Sequence, residues 1–94
     1  MKIEINKPLS PEVQHLIRRN TTVSEIKEVA KMYGISEAVF QHLFYDKKGR
    51  YKVSNENLKP LHFLIEHTAD RLYIEHFELK QLKNTMHETI QPHP

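Results

Sequence analysis

The side chains able to do chemistry in this sequence are seven histidines, scattered carboxylates and a short basic run, with no cysteine among them. His62 and Glu66, with His67 beside them, have the one-turn spacing that sets an imidazole and a carboxylate on the same helix face. An HxxxE pair without a third ligand of suitable spacing is common on helices and does not make a metal site, so neither a metal nor any other cofactor is expected. Catalysis has no better footing. There is no Gly-rich phosphate loop, no HExxH pattern, and no serine or acid pair set apart, so an enzyme is not expected. What is left is recognition. Glu37, Ala38, Gln41, His42 and Tyr45 fall on the outward side of one amphipathic stretch and offer donors, acceptors and ring faces. Directly after it, residues 46–50, reading DKKGR, put Lys47, Lys48 and Arg50 into one polar turn. Lys27, Lys31 and Lys52 add cations of the kind that hold phosphate oxygens.

The elements that must position these residues centre on residues 26–44. Ala30 is small enough to let two helices cross closely, and Gly34, four residues later, suits a turn that needs positive φ. Val29, Ile35, Phe40 and Leu43 supply the apolar wedge between the helices. The pattern predicts a helix over 23–33, a turn at Gly34, and a second helix over 37–46 capped by Ser36. Ahead of them, Ser10, Pro11 and Glu12 open a first helix whose inward residues are Val13, Leu16 and Ile17, and Thr22 with Glu25 forms a capping box for the next. Ile3 and Ile5 alternate with polar residues, which permits a short N-terminal β-strand with residues 50–53 as its partner.

After the basic turn, Ser54 and Asn57 offer caps, and Pro60 sits in the first turn of a helix that begins near Leu58. Leu61, Ile65, Thr68, Leu72, Glu75, Leu79, Leu82 and Met86 then recur at heptad spacing, either as one long helix or as two joined near residues 67–70. A stripe of this length on a small body leaves apolar residues bare, so a homodimer is expected, with Leu72, Phe77, Leu79, Leu82 and Met86 as its interface. The expected architecture is all-α: a small helical bundle over residues 1–57, followed by a C-terminal helical segment over 58–90.

With 94 residues, 38% hydrophobic and 28% charged, one thin-cored domain with an arm is the default. Net charge is +2, unevenly placed: through Leu61 eleven Lys or Arg face seven Asp or Glu, giving +4, and the remainder carries three against five, giving −2. The basic part is therefore the part that holds the candidate recognition residues. Absence of cysteine and of any long apolar run leads to the expectation of a cytoplasmic, soluble protein.

The stretch VAKMYGIS followed by EAVFQHLF resembles the DNA-binding headpiece of lac-repressor-type regulators, and more loosely the lambda-repressor and Cro group. The likeness continues through KKGRYKVSNENL and covers residues 26–61. It implies a recognition helix in the major groove of double-stranded DNA, presented by two-fold related subunits. Carried over by position, the base-facing places fall on Glu37, Ala38 and His42, with Gln41 beside them; Tyr45 shares their outward side, and Lys27, Lys31, Lys47, Lys48, Arg50 and Lys52 are the cations expected along the phosphates. The implied function is a small transcriptional regulator of the phage or mobile-element repressor type. The alternative is a helix-turn-helix scaffold turned to protein binding, an inhibitor or adaptor acting through its C-terminal helix. Two departures stand out: an extra helix precedes the motif, and the base-facing set holds no Arg or Lys, the usual partners of guanine.

Overall fold

The computed structural model describes residues 1–90, the last four of these by backbone alone. Among the described residues the protein is an all-α bundle of four helices: α1 (Pro11–Asn20), α2 (Val23–Met32), α3 (Glu37–Tyr45) and α4 (Asn55–Ile90). Local chemistry sets each start. Ser10 Oγ accepts from the Val13 amide at 3.2 Å, Thr22 Oγ1 from Glu25 at 3.1 Å, and Ser36 Oγ from Val39 at 3.2 Å. Each hydroxyl satisfies an amide that the helix itself leaves without a partner.

Between α2 and α3 the chain turns as the sequence requires. Gly34 has φ +67°, its amide donates to Lys31 O at 3.2 Å, and the Ile35 amide reaches back to Ala30 O at 3.0 Å. This is the paired hydrogen bonding of a left-handed C-terminal cap. A Cβ at Gly34 would meet nothing within 4 Å, so the demand there is conformational and not one of space. Across the turn, Ala30 is fully buried where α2 crosses α3, and Ile26, Phe40, Leu43 and Phe44 fill the centre of the core. Phe40 and Phe44 meet edge to face, with centroids 5.2 Å apart. Leu61 and Leu64 close the core from α4, and Val53 and Leu9 from the loops.

Three expectations need correction. No strand forms among the described N-terminal residues, because Asn6 takes φ 68° and Pro8 follows. The segment does find the expected neighbour, through Asn6 N–H to Val53 O at 2.7 Å and Val53 N–H to Lys7 O at 2.9 Å. Second, the inward place on α1 given to Leu16 belongs to Gln14, which is buried, while Leu16 is 36% exposed. Third, α4 begins at Asn55, not near Leu58. Ser54 and Asn57 cap it reciprocally: Ser54 N–H donates to Asn57 Oδ1 at 2.8 Å and Asn57 N–H to Ser54 Oγ at 3.3 Å. Pro60 consequently lies one turn further in, buried against the core.

α4 runs unbroken through residues 67–70 and leaves the body near Leu72. The molecule measures 63 × 25 × 18 Å with a radius of gyration of 18.0 Å, against about 12 Å for a compact chain of this length. Arg71 fixes the departure point: Nη1 donates to Glu25 Oε2 at 2.7 Å, Nη2 donates to the Asn20 carbonyl, and Nε lies 3.8 Å from Glu75. Glu25 is thus diverted from the reciprocal half of its capping box. No helix among the described residues is long and apolar enough to cross a membrane.

Candidate nucleic-acid interface

The outward side of α3 is open to solvent over much of its length, with Tyr51 stacked on His42 and Arg18 facing Tyr45. Glu37, Ala38, His42 and Tyr45 are exposed and Gln41 is half-buried. Val39 is also exposed, and lines a hollow with Ser54, Glu56 and Asn57 at the start of α4.

α1 holds the far end of this helix. Gln14 Nε2 donates to Leu43 O at 3.1 Å and to Asp46 O at 2.9 Å, and one turn along, Arg18 Nη1 donates to Phe44 O at 3.0 Å. The carbonyls that α3 cannot satisfy internally are thereby capped from outside, and the Arg18 charge sits where the helix dipole favours a cation. The same guanidinium lies 5.8 Å from the Tyr45 ring centre. With Ser36 at one end and α1 at the other, α3 is fixed in position before any partner arrives.

The basic turn is equally ordered. Asp46 Oδ1 accepts from the Lys48 amide at 3.4 Å and from Arg50 Nη2 at 3.0 Å; Oδ2 accepts from the Arg50 amide at 3.0 Å and Arg50 Nε at 3.3 Å. Its carboxylate is only 5% exposed. The Arg50 side-chain hydrogen bonds pull its pKa down to about 2, outweighing the upward push of burial, with the Arg50 and Lys48 amides adding to the effect. Gly49 turns the chain at φ +71°. Arg50 remains solvent-accessible, but much of its charge is answered by Asp46, which leaves exposed Lys47 and Lys48 as the freer cations of the turn. Lys52 is exposed just beyond it.

At the opposite end of α3, Lys27 and Lys31 share a shallow hollow with Ser24, Glu28 and Glu37. Exposed cations therefore lie at both ends of α3, although on the α2 side two carboxylates temper them. Two residues absent from the sequence reading join the site. Tyr51 stacks on His42, with centroids 4.8 Å apart and planes 21° from parallel, and Arg18 caps α3 and faces Tyr45. Arg18 had a signal, its one-turn spacing from Gln14; Tyr51 had none.

The histidines elsewhere do not assemble. His62 Nδ1 lies 3.8 Å from Glu66 Oε2 in an exposed pair, His67 stacks on Phe63 instead, and no group of three or more potential ligands gathers among the described residues. Of the expected dimer residues, Leu72 lies at the edge of the body and is 37% exposed, and Phe77, Leu79, Leu82 and Met86 beyond it are half exposed or more. Helical periodicity sorts them into two stripes, Leu72, Leu79, Leu82 and Met86 on the side that continues the core, Tyr73, Ile74 and Phe77 on the other. Comparison with family models, with curated proteins and with solved structures finds no match for this chain.

Proposed function

We propose that this protein is a small DNA-binding transcriptional regulator of the phage or mobile-element repressor type, acting in the cytoplasm as a homodimer and without enzymatic activity. One observation carries the reading: α3 is capped at both ends, its Glu37, Ala38, His42 and Tyr45 are exposed with Gln41 half-buried beside them, and exposed cations lie at both ends. A helix held this way enters a major groove without further ordering. Gln41 suits the paired donor and acceptor of adenine, Glu37 suits the cytosine amine, and Lys47 and Lys48 suit the phosphates alongside, with Arg50, Lys52, Lys27 and Lys31 as weaker contributors. The headpiece-like spacing of residues 26–61 agrees with this assignment.

Selection of bound duplexes from a random pool tests it, with a two-fold symmetric consensus as the expected result. Binding should weaken steeply with salt, and the Lys47→Ala/Lys48→Ala double variant should flatten the log–log slope by about 1.8, two phosphate contacts at ~0.9 each. No enrichment from the pool, or an unchanged slope in the variant, refutes the assignment.

The second reading, a protein-binding inhibitor or adaptor, is favoured by a separate observation. Tyr73, Ile74 and Phe77 form an exposed stripe on α4 facing away from the core side, and α3 presents no Arg or Lys of its own. Under that reading Phe77→Glu abolishes function while Lys47→Ala/Lys48→Ala leaves it intact.

A further inference from the structure

Where α4 leaves the body, it and the end of α1 enclose a cleft of about 170 Å³. Its walls are Leu16 and Ile17 from α1 and Ile65, Thr68, Ala69 and Leu72 from α4. We infer that a second copy of this chain fills this cleft with its own α4 tail, the two α4 helices running antiparallel. The inference rests on the homodimer reading above and specifies how that dimer is built.

Two observations choose the occupant. The chain itself carries an apolar stripe of matching kind, Leu79, Leu82 and Met86, half exposed or more and held out from the body on an unbroken helix. The helix contains no Gly or Pro between Pro60 and its end at Ile90, so the tail cannot fold back into the cleft of its own body.

Two further observations choose the orientation. In a parallel pairing the core-facing stripe meets itself only from Leu72 onward, since Leu61 and Leu64 are already buried in the body. That leaves four half-exposed apolar residues, a few hundred Å² at most, well short of the ~800 Å² per partner of a specific interface. It also sets Glu75 against the partner's Glu75 in the seam, a like-charge contact that coiled-coil cores avoid. Antiparallel, Leu72 lies opposite Leu82 of the partner, Glu75 lies opposite an aliphatic Leu79 and keeps Arg71, and Met86 reaches Thr68 beside the small Ala69. The tail then runs into the cleft and covers Leu16 and Ile65 as well. Leu16, turned outward from the core of its own domain, becomes part of the interface.

The absence of cysteine makes the test direct. Full-length Leu72→Cys and Leu82→Cys variants, mixed and oxidised, should give a disulfide-linked heterodimer, and Leu79→Cys alone should not link to itself. Leu16→Glu, a surface change in the monomer, should raise the dimer dissociation constant by at least about tenfold in sedimentation equilibrium. Efficient self-linking of Leu79→Cys together with unchanged association of Leu16→Glu overturns the antiparallel docking while the dimer stands. A wild-type chain that sediments as a monomer at all concentrations overturns both.

Discussion

Gln14 is the residue on which the placement of α3 depends most, and replacing it with Met keeps its length while removing both donated hydrogen bonds. Leu43 O and Asp46 O, at 3.1 and 2.9 Å from Nε2, would then be buried without a partner. A buried acceptor left unsatisfied costs about 1–3 kcal/mol, and a Met side chain at a site only 4% exposed returns part of that by burying apolar surface. The net loss should be about 2–4 kcal/mol, a large share of the ~5–15 kcal/mol that holds a typical domain together. At about 4–8 °C per kcal/mol for a domain of this size, Tm should fall by roughly 8–32 °C, read by circular dichroism and checked by urea titration. Gln14→Glu should be worse at neutral pH, because a carboxylate cannot donate and would face two carbonyl oxygens. It should recover partly in acid, when its O–H can serve one of them. If Gln14→Met melts within about 2 °C of wild type, the two carbonyls have other partners and the capping of α3 from α1 is refuted.

Further outcomes follow from single contacts. Thr68 Oγ1 is buried with no hydrogen-bond partner, so the isosteric Thr68→Val should stabilise by about 1 kcal/mol and raise Tm by roughly 4–8 °C; a lower Tm would mean the hydroxyl is bonded. Ala30→Leu forces bulk into a fully buried crossing and should cost about 1–3 kcal/mol or more; an unchanged Tm would refute the close crossing. Asp46 has a folded-state pKa lowered from 3.8 to about 2, so its contribution to stability is fully present above pH ~4 and is lost as pH falls toward 2. The stability difference between wild type and Asp46→Asn, from urea midpoints, should therefore shrink across that window, and a difference independent of pH would remove Asp46 as the organiser of the basic turn.

What the sequence made legible was local. Ser10, Thr22 and Ser36 announce helix starts within three residues of the amides they cap, and the Ala30 to Gly34 spacing announces the crossing and the turn. What it concealed depends on contacts distant along the chain. A buried Gln14 is unreasonable until the carbonyls it serves arrive 29 and 32 residues later, and Glu25 looks like half of a capping box until Arg71 comes back to it from 46 residues away. The alternation of Ile3 and Ile5 is what a strand shows, yet Asn6 tolerates the left-handed region and the run ends in a turn. The cationic turn was visible as composition, but not the buried carboxylate of Asp46 that pairs with Arg50 and answers much of its charge.

The anchoring of α4 at Arg71 gives the molecule a lever. Met86 stands about 21 Å beyond Leu72 along the helix axis, at 1.5 Å per residue. A tilt of only ~10°, inside the ordinary scatter of helix crossing angles, swings that point by about 4 Å. The pivot is one guanidinium wedged at the corner where α1 hands over to α2, so any disturbance of Glu25 or of the Asn20 carbonyl is magnified at the far end.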